Sequence, residues 1–268
     1  MAKLTKPINW MKKRYFRVLG HYPTSICGLK FRCDPYHMNF WKKVSRGGWE
    51  PHTYEILSRF LTPDAVYFDL GAWIGTTVVY AARQCRQVMC FEPDPVAYRY
   101  LLWNIELNNL HNVMPFNIAL ADNDGIMKMA SFGGDRGDST MSLLNSDQNN
   151  SVSYAMAMRW DTWLSISKVE KMNLLKIDIE GGEFVLLPGM RDYLAEYKPV
   201  TYLSTHAPFV DVNERQEKME SIIEVMNVYG RCFNERMEQI SISELVSEES
   251  LTQFNAYIFM DKILRNIK

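Results

Sequence analysis

The sequence predicts an α/β fold, a mostly parallel sheet with helices on both faces plus an N-terminal cap, on three observations. Short apolar runs alternate with segments of helical spacing along most of the chain, the layout of parallel strands joined by crossover helices. One such run, Val66-Tyr67-Phe68-Asp69-Leu70, breaks into the glycine-bracketed turn Gly71-Ala72-Trp73-Ile74-Gly75, which opens a helix. About 20 residues on, Gln87-Val88-Met89-Cys90-Phe91 ends in Glu92-Pro93-Asp94-Pro95, the spacing at which a nucleotide fold presents a carboxylate to a ribose.

The elements follow in order. Residues 65–70 are the first strand, 76–84 the first helix and 87–91 the second strand. Over 96–108, Val96, Tyr100, Leu101 and Leu107 fall near helical spacing, so this segment is a helix. Residues 113–120 form a third strand, and 126–132 and 156–163 two more, interrupted by a polar, turn-rich stretch at 133–153. A loop this long inside a compact domain is either functional or disordered, which makes it a candidate lid over an acceptor. Then come a strand at 174–179, a helix from Glu183 that ends near Pro188-Gly189, a strand at 200–205, a helix at 214–229, and closing strands at 230–233 and 256–260. With no repeat and no linker, residues 1–50 read as a basic cap and 51–268 as one domain.

With 268 residues, 47% hydrophobic and 23% charged, the chain is long enough for one sizeable core. No run approaches the ~20 apolar residues of a membrane span and no signal-peptide layout opens the chain, so a cytoplasmic protein is expected. The five cysteines include no C-x-x-C pair, so neither a zinc ribbon nor a disulfide framework is expected. The net charge of −1 conceals an asymmetry: residues 1–60 hold 12 Lys/Arg against 3 Asp/Glu, a balance of +9, and the remainder holds 18 against 28, or −10. Lys12-Lys13-Arg14-Tyr15-Phe16-Arg17 suits a phosphate-bearing nucleotide sugar, peripheral contact with an anionic membrane, or simply a solvated helix face. Nucleic acid is not expected, because no recognised binding motif accompanies the charge.

The glycine pattern narrows the cofactor. A dinucleotide fingerprint needs glycine at the first, third and sixth positions, but counting from Gly71 the later two hold Trp73 and Thr76, and no phosphate loop occurs. S-adenosylmethionine, an adenosine without phosphate, fits Gly71 and Gly75 better than NAD or ATP. Three runs, Phe68-Asp69-Leu70-Gly71-Ala72-Trp73-Ile74-Gly75, Phe91-Glu92-Pro93-Asp94-Pro95 and Leu175-Lys176-Ile177-Asp178-Ile179-Glu180-Gly181-Gly182-Glu183, in this order and spacing, resemble the FkbM-family methyltransferases. The resemblance covers roughly residues 50 to 205 and departs at Trp73 and Gly182, where Asn and Ala are usual. It implies the class I methyltransferase (Rossmann-like) sheet, S-adenosylmethionine, and O-methylation of a sugar or polyketide hydroxyl, and for this chain a sugar hydroxyl, on a nucleotide sugar or glycan, is expected. A nicotinamide-dependent oxidoreductase and a non-catalytic S-adenosylmethionine-binding module are the alternatives.

On this reading the turn Gly71-Ala72-Trp73-Ile74-Gly75 passes the cofactor, Asp69 binds its amino group directly or through water, and Glu92 takes the ribose hydroxyls. Asn117, Ala119 and Asp122 lie toward adenine, although Asp122-Asn123-Asp124-Gly125 is also an ordinary turn sequence. Asp94 is a helix cap. Asp178, a charge emerging from a buried strand, orients or deprotonates the acceptor hydroxyl, and Glu180 shares that work. Lys176, two residues before Asp178, leaves the strand on the same face and is its expected ion-pair partner. Glu183 sits at a helix N-terminus. His206, ending the 200–205 strand, is the other candidate base, with Asp178 as its orienting partner. A divalent metal at these residues is conceivable but not predicted, since no ligand-spaced cluster stands in the sequence.

Overall fold

The computed structural model describes residues 5–131, 141–142, 152–169 and 171–261. In chain order, α1 (Thr5–Leu19) leads into the hairpin β1 (Tyr22–Ile26) and β2 (Leu29–Cys33), then α2 (Met38–Val44) and α3 (Pro51–Phe60). β3 (Val66–Leu70), α4 (Thr76–Ala81), β4 (Gln87–Phe91), α5 (Pro95–Leu107) and β5 (Val113–Phe116) follow. A second group comprises β6 (Ala119–Ala121), β7 (Gly125–Ser131), β8 (Met141–Ser142), β9 (Val152–Arg159) and α6 (Trp160–Ser167). The chain then returns through β10 (Leu174–Ile177), α7 (Glu183–Tyr197), β11 (Val200–Thr205), α8 (Arg215–Met226), β12 (Arg231–Asn234), β13 (Gln239–Ile240), α9 (Glu248–Thr252) and β14 (Asn255–Met260).

The main sheet has the order β13-β12-β14-β11-β10-β3-β4-β5. Its five strands from β11 to β5 are parallel, and β14 enters antiparallel between β11 and β12. Every residue of β3 and of β10 is buried, as expected where helices cover both faces. Alternation divides the core: Tyr67, Val88 and Leu174 face α3, α4, α5 and the N-terminal hairpin, while Phe68, Met89 and Leu175 face α6, α7 and α8. This is the Rossmann-like α/β architecture expected from the sequence. Among the described residues, no helix is long and apolar enough to cross a membrane.

The N-terminal segment is stitched to α5 by buried polar groups. Asn104 accepts from the Asp34 backbone N–H at 2.7 Å, and Asn108 accepts from the Arg32 N–H at 2.9 Å and donates to the Arg32 carbonyl. Asp34, fully buried, takes the Trp41 indole N–H and the His37 backbone N–H. All five cysteines are free. Asp94 caps α5 by accepting from the Val96 and Ala97 amides.

Three expectations need correction. The strand expected over 113–120 is two, β5 in the main sheet and β6 in a four-stranded sheet of order β6-β9-β7-β8. Pro115 cannot donate to a ladder, which suits the sheet edge where β5 stands. Residues 160–163, expected to continue a strand, begin α6, because Trp160 and Trp163 are one helical turn apart and stack at 5.4 Å in the core. The helix expected to stop near Pro188 runs on to Tyr197. An internal proline costs about 3 kcal/mol, but burial of Leu186, Leu187, Met190, Tyr193 and Leu194 contributes roughly 1.5–3 kcal/mol for each large side chain. Of the candidate lid at 133–153, residues 133–140 and 143–151 lie outside the described residues.

Candidate active site

The carboxyl ends of β3, β4 and β10 open on two clefts, the position at which ligands enter open α/β sheets. The first, of about 630 Å³, is walled by Phe91, Ile118, Ala119, Leu120, Met129 and Leu186, with Glu92 at its rim and no lysine or arginine in its lining. The second, of about 1180 Å³, is polar and aromatic, reached by Trp49, Glu50, Lys176, Tyr202, His206, Phe209 and Phe254. Gly71, Trp73, Asp178 and Glu180 line both.

The turn after β3 explains its residues. Gly71 has φ +86°, and a Cβ there would lie 1.8 Å from the Asp178 carbonyl oxygen, so the β3 and β10 tips approach this closely only with glycine. At Gly75 (φ +89°) a Cβ would lie 2.7 Å from the Leu101 side chain. Both glycines thus answer first to packing within the fold. Trp73, also left-handed at φ +47°, donates its backbone N–H to Glu92 Oε2 at 2.8 Å, while the Asp94 N–H reaches Oε1 at 2.8 Å. The indole packs edge-on against Phe40 at 4.7 Å. Each Glu92 oxygen keeps a further lone pair for a ligand. Burial pushes this carboxyl up to about 8, against the pull of the two amides.

Asp69 lies beneath this surface. Fully buried, it accepts from the Thr77 hydroxyl and faces Lys176 Nζ at 3.4 Å. It lines neither cleft, so its influence on a ligand passes through Thr77 and Lys176, which do line the second. Burial raises its pKa despite the Lys176 charge.

On the other side of the shared wall, Lys176 Nζ is 3.0 Å from Asp178 Oδ2, the ion pair expected from their alternation. Burial disfavours the ammonium, but Asp178, Asp69 and Glu50 more than compensate and its pKa is raised. His206 is fixed from behind: its backbone N–H meets Glu183 Oε1 at 2.7 Å and its Nδ1 the same oxygen at 3.1 Å. Nε2 then faces Asp178 at 3.5 Å and Glu180 at 3.4 Å. Burial lowers the imidazole pKa, but the charge and hydrogen bond of Glu183, with Asp178 and Glu180, carry it up to about 9. At neutral pH His206 is therefore an imidazolium. Asp178 is held below the usual carboxylate range, burial being outweighed by Lys176 and His206. Glu180, in a left-handed backbone at φ +52°, is pushed up to about 7, mainly by burial, with His206 pulling the other way. One donor atom each from Asp178, Glu180 and His206 lies within 4.8 Å of the others, a grouping able to take a cation.

The structure brings Gly71, Ala72, Trp73, Glu92, Ala119, Asp178, Glu180 and His206 to the two clefts. It does not bring Asp69, Gly75, Asn117 or Asp122 there. The Asn117 amide donates to the Glu92 and Pro93 carbonyls, bracing that turn. Asp122 is exposed in the turn between β6 and β7. Glu183 is more than a helix-end charge, being the buried group that orients His206. Glu50 was missed. It sits at the mouth of the second cleft, open to solvent yet crowded by protein, in a left-handed backbone at φ +40° and with the Thr53 hydroxyl donating to it. Desolvation and then the Asp178 charge push its carboxyl up to about 7, against Lys176 and Thr53. Its only sequence signal is Pro51 after it, a helix-start mark that carries no chemistry.

The family model of the methyltransferase FkbM domain matches residues 69–232, a span that includes both Asp69 and His206. The chain is 23% identical over 230 residues to the 2-O-methyltransferase NoeI of Sinorhizobium fredii, covering 80% of this chain and 84% of that protein. It is 25% identical over 148 residues to Methyltransferase 1 of Beauveria bassiana, covering 48% of this chain and 59% of that one. A solved FkbM methyltransferase from Methylobacillus flagellatus superposes with a TM-score of 0.45 at 14% identity, covering 85% of this chain and 55% of the other. The chain thus spans less than two thirds of the length of the last two.

Proposed function

The chain belongs to the methyltransferase FkbM domain family, and from that premise we propose that it moves a methyl group from S-adenosylmethionine to a hydroxyl of a saccharide. The observation that carries this reading is the wall formed by Gly71, Trp73, Asp178 and Glu180, at which an apolar cleft and a charged, aromatic cleft meet. A donor in one and an acceptor in the other face each other across it, and such orientation contributes about 7–11 kcal/mol to a bimolecular reaction.

The residues fit this cofactor. The apolar walls suit an adenine and Glu92 offers two oxygens to ribose hydroxyls, while Trp73 and Thr76 stand where a pyrophosphate-binding turn needs glycine, which disfavours the nicotinamide alternative. When bound, S-adenosylmethionine supplies the electrophilic methyl. The chain must hold the acceptor oxygen and take its proton. Asp178, with its low pKa, accepts a hydrogen bond from the hydroxyl and orients it. Glu180, poised near neutrality, suits the base. His206, charged at neutral pH, balances both carboxylates rather than taking the proton.

The acceptor cleft combines carboxylates at Glu50, Asp178 and Glu180 with rings at Trp49, Phe209 and Phe254. An uncharged polyhydroxyl ring meets both, its hydroxyls donating to the acids and its C–H faces lying on the aromatics. A phosphate on the acceptor would stay outside these acids. NoeI, by name a 2-O-methyltransferase, supports oxygen as the methylated atom. The test is incubation with S-adenosylmethionine and a panel of free sugars, nucleotide sugars and lipid-linked saccharides, read by mass spectrometry. Gain of one methyl on a sugar hydroxyl is expected; transfer confined to nitrogen, carbon or polyketide acceptors would refute the assignment.

A further inference from the structure

Among the described side chains of α1, from Trp10 onward, one side is tied to the body of the protein. Phe16 packs edge-on against Tyr22 at 5.0 Å and the Arg17 guanidinium lies over the Tyr36 ring at 4.7 Å. On the other side Met11, Tyr15 and Val18, spaced four and three apart and so aligned along the helix, are 64%, 62% and 83% exposed. Leu19 extends the stripe, and Trp10 stands beside it under the Arg14 guanidinium. A row of large apolar side chains left in water marks a contact surface.

The charges say what the contact is. The segment Thr5–Leu19 carries Lys6, Lys12, Lys13, Arg14 and Arg17 and no acidic residue. At 3.6 residues per turn, Lys12 and Arg14 border the apolar stripe on its two sides. A second copy of the chain laid on this face would set like charges against like. A nucleic acid would neutralise the cations but leave the stripe in water. An anionic bilayer satisfies both, because headgroup phosphates take the cations and the acyl boundary takes the stripe. Fifteen residues of helix reach only about 22 Å, too short to span but suited to lying in the plane.

We infer that α1 is a membrane-surface helix that docks the protein on an anionic lipid bilayer through Met11, Tyr15 and Val18, flanked by Lys12 and Arg14. The test is co-sedimentation of the full chain with vesicles of phosphatidylcholine alone or with a quarter phosphatidylglycerol, at low and high salt. Binding to the anionic vesicles is expected to be at least about tenfold stronger than to neutral ones and to weaken with salt. The triple variant K12E/K13E/R14E abolishes that preference. M11S/Y15S/V18S, which leaves the charge unchanged, lowers binding at least about tenfold, as loss of even partly buried apolar anchors requires and simple ion adsorption would not. Both variants keep the wild-type melting temperature and S-adenosylhomocysteine affinity, which shows that they are folded. Equal partition into the two vesicle types, or an anionic preference that survives charge reversal, overturns the inference. So does RNA binding or α1-dependent self-association without vesicle binding.

Discussion

The two clefts share a wall but are built by opposite rules. In the first cleft one stretch of chain supplies the anchor: β3, its turn and β4 bring Gly71, Trp73 and Glu92, whose carboxylate is met by two backbone amides, and apolar side chains from Ile118 to Leu186 close the walls. The second cleft is assembled from distant segments, with Glu50 before α3, Lys176 on β10 and Asp178 just after it, His206 after β11 and Phe254 before β14. Its order comes from side-chain charges that fix one another's ionisation. A site held by backbone should lose affinity when cut; a site held by mutual charge should lose rate.

The sharpest test of that contrast is Asp178→Asn. It should lower kcat about 1000-fold, within the range for positioning and acid–base groups, yet leave the Kd for S-adenosylhomocysteine, measured by calorimetry, within about twofold. Comparable losses in both would mean that the clefts are not separable. Gly71→Ala attacks the shared wall itself. With φ positive and the Asp178 carbonyl in the way, it should destabilise the fold by about 3 kcal/mol, read as a lower melting temperature with both substrates bound poorly. Glu92→Gln should weaken S-adenosylhomocysteine about 10- to 100-fold, because an amide nitrogen replaces one of the two acceptor oxygens that also hold the Trp73 and Asp94 amides, with a smaller change in acceptor KM.

The pH profile separates the halves further. Activity should rise as Glu180 loses its proton through about 7 and fall as His206 loses its own through about 9, giving a bell whose acid limb disappears in Glu180→Gln. The same ionisation bears on stability. The His206 pKa is raised from 6.5 to about 9 in the folded chain, so its contribution is complete below about 6.5 and is lost as pH rises through 9. Melting temperatures across that window should decline less in His206→Gln. The smallest effect is expected at Glu50→Gln, a three- to tenfold rise in acceptor KM, roughly one ordinary hydrogen bond, with donor affinity unchanged.

How much was legible in the sequence follows the same division. Glu92 and the Gly71 turn lie within a strand-turn-helix-strand unit whose spacing is local, and the structure puts both at the first cleft. The role of the glycines was less legible, since what crowds Gly71 is the Asp178 carbonyl, more than 100 residues away along the chain. Asn117 and Asp122 fall near adenine only if one strand runs on through Pro115, and the chain instead changes sheets there. Glu50 was beyond reach, because only tertiary structure brings the end of an N-terminal turn to β10. His206 could be placed at a strand end, but its charge state depends on Glu183, whose burial no periodicity reveals.

The most direct test of the central claim is a crystal structure of the complex with S-adenosylhomocysteine. The ribose hydroxyls should lie on the Glu92 carboxylate, the adenine between Ile118 and Leu186, and the sulfur at the wall of Gly71 and Asp178, facing the second cleft. A nucleoside bound elsewhere, or one whose sulfur is screened from Asp178 and Glu180 by protein, would contradict the account.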